Sequence, residues 1–268
     1  YSLDDGIEVF GGTVALDHVA AYFCQDDQFD FDSGYRGQIS YAFAMVGATG
    51  HRSIECDSTL KDSDTILPRT RVEISQSTFI GNPVDVEETV LFHNGAAGVF
   101  ALSIISNAVG VGIAQKSCSS SQANTTTSEI PNSTLPFRSQ ALYIDPFSIV
   151  STTSSQITFD ATCTNTPRPV SALSIVNLRL LPTVPTESSK MIDPRPYHAT
   201  LGPWRLGKDS WRVAAFSGSA PFSGNGFRAK GYNGAFGSDL WLHQWSLLSS
   251  MAFLPDNEWT GDSSRLLG

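Results

Sequence analysis

Charge is scarce in this sequence, and positive charge most of all. Only 16% of the 268 residues are charged, and 17 Lys and Arg face 26 Asp and Glu, for a net charge of −9. With no basic cluster, the chain offers nothing to a phosphate backbone or an anionic lipid surface, so nucleic acid is excluded as a partner. Ser, Thr, Gly and Asn fill much of the remainder, a balance that suits a secreted or cell-surface protein better than a cytoplasmic enzyme. No apolar run approaches the roughly 20 residues of a membrane span. The sequence opens at Tyr1 without Met or a signal peptide, as expected of a processed form or a fragment.

Metal and nucleophile motifs are equally sparse. The four cysteines, Cys24, Cys56, Cys118 and Cys163, form no CxxC pair and have no histidine at zinc spacing. Their even number fits two disulfides, with three pairings open, or buried thiols acting as small apolar residues. His18, His51, His93, His198 and His243 are scattered and make no HExxH pair. There is no GxSxG elbow and no Walker loop, and the glycine-rich run from Gly218 lacks the strand, helix and lysine context of a phosphate cradle.

What is present is strand. A hydrophobic content of 41% is ample for a continuous core. Short alternating segments recur: GIEVF from Gly6, QFDFD from Gln28, SIECD from Ser53, TVLFH from Thr89 and VGIAQ from Val111. Each of the first four is followed by a more continuously apolar segment: TVALDHVAAYF from Thr13, GQISYAFAMVG from Gly37, TRVEISQSTFIG from Thr70 and GVFALSIISNAVG from Gly98. LYIDPF, QITFDA and SALSIVNLRL carry the pattern toward residue 181. Two alternating strand classes with no helical stripe between them predict an all-β right-handed parallel β-helix, a solenoid of stacked coils, over residues 1–181. A Greek-key sandwich shares the signature of many short strands with Gly and Asn turns and stays open at this point. A Ser/Thr-rich loop near 117–140 carries two glycosylation sequons, at Asn124 and Asn132.

From about Leu181 the composition changes. Pro182, Pro185, Pro194, Pro196 and Pro203 break any strand ladder, and all five tryptophans fall between Trp204 and Trp259. Residues 182–268 are therefore expected to form an irregular, aromatic-rich cap over one solenoid end, with Trp204, Trp211, Trp241 and Trp245 as its capping or assembly residues. Within it, Trp241, Trp245 and Leu248 stand at helical spacing behind Ser238 or Asp239. A carbohydrate-stacking platform is the competing use of these aromatic faces.

Several segments together resemble a known group. GIEVFGGTVALDHV, QDDQFDFDSGYRGQI, SIECD, LPRTRVEISQSTFIG and, late in the chain, YNGAFGSDLWLHQW are similar in order and spacing to a group of secreted bacterial and microalgal surface proteins. That group is taken to fold as parallel β-helices and has no established activity, so the resemblance implies architecture and location, not chemistry. The likeness is strong over residues 6–81 and 227–254. The sequence departs from the group in having Cys56 where Ala is usual, with Cys24 one coil earlier. Set against the group, those departures imply a Cys24–Cys56 disulfide between adjacent coils, leaving Cys118 to Cys163.

If coils stack, alternation points Ile7, Val9, Phe29, Phe31, Ile54 and Cys56 inward. Glu8, Asp30 and Glu55 then form one outward column at about 4.8 Å spacing, with Asp32 and Asp57 beside it. Like charges so close need neutralising. Arg36, Arg52, Arg69 and Arg71 could supply a salt-bridge ladder; calcium could sit on Asp30, Asp32, Glu55 and Asp57; or a carboxyl could keep its proton. An EF-hand is excluded, because no bidentate Glu closes the loop at its twelfth position. Paired carboxylates also suit acid and base roles in glycan cleavage. The function expected is that of an extracellular structural protein without turnover, a surface or filament building block that self-associates through solenoid ends and tail. It requires no cofactor, calcium being the one candidate. The alternative is a polysaccharide lyase- or hydrolase-like enzyme or a carbohydrate-binding module.

Overall fold

A computed structural model describes residues 2–58, 68–118, 142–144, 148–152, 154, 155, 157–163, 234–236, 241, 242 and 244–250. The chain winds as successive coils of three short strands. The first coil holds β1 (Ile7–Phe10), β2 (Leu16–Asp17) and β3 (Ala20–Tyr22). The second holds β4 (Phe29–Asp32), β5 (Gln38–Ser40) and β6 (Phe43–Met45), and the third β7 (Ile54–Asp57), β8 (Arg71–Ser75) and β9 (Thr78–Ile80). Then come β10 (Val90–His93), β11 (Ala97–Ala101) and β12 (Ile104–Ala108), and after them β13 (Ile113–Gln115), β14 (Leu142–Ile144) and β15 (Ile149–Thr152). Finally β16 (Ile157–Phe159) opens a sixth coil.

Every third strand pairs in parallel. The sheets run β1-β4-β7-β10-β13-β16, β2-β5-β8-β11-β14 and β3-β6-β9-β12-β15. This is the right-handed parallel β-helix expected from the sequence, with the hand that parallel crossovers take. One detail differs. What reads as a single apolar segment after each alternating strand is two strands on different sheets, split by a corner. His18, Tyr41, Gln76 and Leu102 occupy that corner in four coils, each with φ between 44 and 52°. One left-handed residue turns the chain there, and no glycine or proline marks it, only polar neighbours such as Asp17, Ser40, Ser75 and Ser103.

The interior is built from columns of like residues. Ile7, Phe29, Ile54, Val90, Ile113 and Ile157 stack in register along the first sheet, and Val9, Phe31, Cys56, Phe92, Gln115 and Phe159 form the next inward column. Leu16, Ile39, Ile74, Phe100 and Ile144 face them from the second sheet, and Ala21, Ala44, Phe79, Ile105 and Val150 from the third. At the corner between the second and third sheets a serine ladder satisfies backbone donors that no strand serves. Ser77 Oγ accepts from Ala42 N at 3.1 Å, and Ser103 Oγ from Ser77 N at 3.0 Å. Buried N–H groups left without such partners would each cost about 1–3 kcal/mol.

The described part of the tail does not close an end of the solenoid. It lies along the outer face of the third sheet, where Phe43, Met45 and Ile80 point outward and pack with Phe23, Ala235, Phe236, Leu242 and Leu248. Gly234 anchors it: its N–H donates to Leu102 O at 2.8 Å, and a Cβ at its φ of +82° would fall 2.6 Å from Ile104 Cδ1. Ala235 N adds a bond to Thr78 Oγ1 at 2.9 Å. The predicted helix contracts to one turn, α1 (Leu247–Ser250). An outward apolar stripe on the adjacent strands β6 and β9 demands lateral cover, and that stripe reads as core in the sequence. Trp204, Trp211, Asn124, Asn132 and the segment SALSIVNLRL lie outside the described residues.

Cys118 and Cys163 are joined, with Cα atoms 4.9 Å apart at a sequence separation of 45. Cys24 and Cys56 are instead buried free thiols, which corrects the pairing implied by the resemblance. The reason is positional: Cys56 faces inward at mid-strand between Phe31 and Phe92, while Cys24 lies in the corner after β3, against Gly6. A closed loop of this length stabilises by about 4 kcal/mol through the unfolded chain. Cys118→Ser/Cys163→Ser should therefore lower Tm by roughly 10 °C. A non-reducing peptide map should recover Cys24 and Cys56 as thiols that alkylate only after unfolding.

Candidate functional site

The outward positions of the first sheet carry the acid column in the expected register. Glu8 aligns with Asp30, and Asp30 with Glu55; the column ends where Glu55 meets Leu91. Asp32 follows Phe10, and Asp57 aligns with His93. Asp57 Oδ2 accepts from Asn94 Nδ2 at 2.8 Å.

A second set of charges lies at the corner that feeds this sheet. Asp5, Asp27, Arg52 and Glu88 each stand two residues before the first core residue of their strand, and Asp4, Asp26, His51 and Glu87 stand one earlier. Backbone bonds lock the stack: Gly6 N to Asp27 O and Gln28 N to Arg52 O at 2.9 Å, and Ser53 N to Thr89 O at 3.0 Å. Asp27 N also donates to Asp5 Oδ1 at 2.9 Å. These dyads were legible as Asp-Asp, Asp-Asp, His-Arg and Glu-Glu at constant distance from each strand. Taken singly, Asp26-Asp27 looks like an ordinary polar turn, which hides the pattern.

Arg52 is the hub. It is buried and reaches Glu87 at 2.5 Å, Glu55 at 3.4 Å and Glu88 at 3.5 Å. Lys116 closes on Glu88 from the next coil. Burial pulls the Glu88 carboxyl up, but Lys116 and Arg52 outweigh it and hold Glu88 below the usual carboxylate range. The arginine ladder thus exists at its Arg52 rung. Arg69 bonds Asn94 O at 3.2 Å, and Arg71 lies on β8 of the second sheet.

Toward the first coils the acids press on one another. Burial, then the neighbouring Glu55 carboxyl, pushes Asp27 up to about 9. Burial, then Asp5 and Glu55, pushes Asp30 up to about 8, and burial raises Asp5 to about 6. Burial also raises Asp32, with Asp57 and Glu55 adding to it against the Ser33 backbone donor. The Cys56 thiol beneath is pushed well up, first by burial and then by Asp30, so it is inert. Retained protons therefore neutralise part of the column, the third of the three routes open to it.

Three groups among the described residues bring ligand atoms within 4.8 Å of one another: Asp5–Glu8–Asp30, Asp4–Asp5–Asp26 and Asp26–Asp27–His51. Of the four residues expected to hold calcium, only Asp30 enters such a group. Stacking moves the convergence toward the first two coils, because Asp32 and Asp57 lie one outward position farther along their strands.

On the opposite flank, the described tail makes an aromatic stack. His18 lies on Tyr41 at 4.7 Å and edge-on to Trp241 at 5.4 Å, and Trp241 stacks on Trp245 at 6.1 Å. Trp245 is 64% exposed.

The pectate-lyase-like β-helix domain family matches residues 1–168. The chain belongs to this family. No curated protein and no solved structure matches it. The matched span covers all sixteen strands among the described residues and both charged columns. Among the described residues, no helix is long and apolar enough to cross a membrane.

The raised carboxyls set a sign for pH dependence. A folded-state pKa above the ordinary value near 3.8 contributes stability that is complete below that value and is lost as pH rises through the folded value. For Asp5, Asp30 and Asp27 the loss runs from about pH 4 through 6, 8 and 9 respectively. Asp30→Asn should therefore stabilise the fold, the gain growing from pH 4 to pH 8. It should reach on the order of 1–2 kcal/mol, since solvent screens the outer edge of the column. Thermal melts across that range check this; a gain independent of pH, or a loss, contradicts it.

Proposed function

We propose that this β-helix is an extracellular structural unit that associates end to end with further copies, as a surface or filament building block. One observation carries the reading. The apolar residues that pack on the main core while staying only partly buried are Ile7, Val9, Leu16 and Val19 at the first coil and Ile144, Ile157 and Phe159 at the last described strands. Among the described residues, the first and last rungs of the interior columns therefore keep apolar faces that are only partly covered. At the first coil Leu3, Phe10 and Val14 add side chains 77%, 62% and 54% exposed.

Head-to-tail stacking continues each column, with Ile7 and Val9 meeting Ile157 and Phe159, and it sets Glu8 over Thr158. Head-to-head stacking would oppose Glu8 to its own copy, which like-charge repulsion disfavours. A heterologous contact of this kind propagates into an open filament when its rotation does not close. The Cys118–Cys163 bond suits an oxidising compartment outside the cell.

A second reading rests on the exposed Trp245 face stacked on Trp241, a shape that suits a sugar ring, in a family named for its likeness to pectate lyase. Affinity electrophoresis in neutral and acidic glycans tests it, with Trp245→Ala removing any retardation.

Sedimentation and electron microscopy test the leading reading. The mass of the assembly should climb with concentration, and Phe10→Glu/Val14→Glu should weaken association at least tenfold, about 1.4 kcal/mol. Monodisperse monomers at high concentration, or turnover of a glycan, would overturn it.

A further inference from the structure

One corner of the charged stack combines features that the strand columns lack. His51 Nε2 lies 2.5 Å from Glu87 Oε2. A carboxylate oxygen only accepts, so this bond places the imidazole proton on Nε2 and leaves the lone pair on Nδ1. Nδ1 faces Asp26 Oδ1 at 3.1 Å and Asp27 Oδ1 at 3.7 Å. Asp27 is only 2% exposed, and its Oδ1 is buried without a hydrogen-bond partner. Three electron-pair donors thus converge within 4.8 Å of one another. Arg52 Nη1 approaches Nδ1 at 2.6 Å, but the same guanidinium already serves Glu55, Glu87 and Glu88. The buried Asp27 oxygen, beside the exposed Asp26 carboxylate and an imidazole lone pair, is a place where a cation offsets desolvation.

We propose that Asp26, Asp27 and Nδ1 of His51 hold a divalent transition-metal ion of the zinc or manganese class, with Glu87 orienting the imidazole from behind. An imidazole nitrogen beside carboxylates selects such ions over calcium, which takes oxygen donors. The Glu87 contact is the outer partner that fixes tautomer and ring orientation in metal-ligating histidines. With the ion on Nδ1, Arg52 keeps its three carboxylates. The ion ties the second coil, which carries Asp26 and Asp27 ahead of β4, to the third, which carries His51 ahead of β7. The two oxygen-only groups around Asp5 contain no imidazole; Asp30 Oδ1 in one of them is also buried without a partner, but Asp30 itself is only half-buried, and they carry no proposal.

The test is calorimetric titration of the chelator-stripped full chain with zinc chloride and with manganese chloride, paired with thermal melts. One ion should bind per chain and raise Tm. Asp26→Asn, at an exposed position where folding is not at risk, should abolish the binding heat, as should His51→Gln. Glu87→Gln should weaken affinity by about 10- to 100-fold. Glu8→Gln should leave it unchanged. Absence of heat with both ions, equal binding by His51→Gln, or calcium binding as tight as zinc would each overturn the assignment.

Discussion

In-register pairing of parallel strands between successive coils is the constraint on which the rest of this structure depends. Each residue of a strand is held about 4.8 Å from its equivalent in the next coil. An apolar equivalent extends the interior, as Phe29 does over Ile7 and under Ile54; a charged one stacks charge on charge, as Asp30 does between Glu8 and Glu55. Hydrophobic burial favours this stacking along the inside, and the outside has to tolerate its electrostatic consequences.

Three devices make those consequences tolerable. A guanidinium placed once, at Arg52, serves three carboxylates at distances of 2.5 to 3.5 Å. Retained protons quiet Asp27 and Asp30, whose burial makes ionisation costly. At the His51 corner, donors converge in the arrangement argued above to take a metal ion. The acid face is thus graded along the solenoid, cation-compensated near the third and fourth coils and carboxyl-rich toward the first. The head-to-tail association proposed above would keep that carboxyl-rich end away from a second copy of itself.

Much of this was legible in the sequence. Period-two alternation located five of the six described strands of the first sheet, the sixth lying in QITFDA, and alignment of GIEVF, QFDFD and SIECD gave the outward column correctly. The third sheet was hidden because a single left-handed residue, His18 or Tyr41 for example, splits an apolar run without glycine or proline to mark it. Outward apolar residues such as Phe43 and Ile80 looked like core, so the lateral seat of the tail could not be foreseen. The corner dyads repeat over the first four coils, yet each looks like an ordinary polar turn until the register places Asp27 under Arg52. Cys56 shows the limit of inference by resemblance: a departure from a pattern says that a residue differs, not what it touches.

The most direct test of the stacked register is a cross-link between equivalent outward positions of adjacent coils. In-register parallel neighbours lie at a Cα separation suited to a disulfide. The double variant Glu8→Cys/Asp30→Cys should therefore oxidise to an intramolecular bond in the folded chain, while Glu8→Cys/Asp32→Cys, offset by two residues, should not. Failure of the first pair to close, or closure of the second in preference, would contradict the register and with it the columns, the corner and the site built on them.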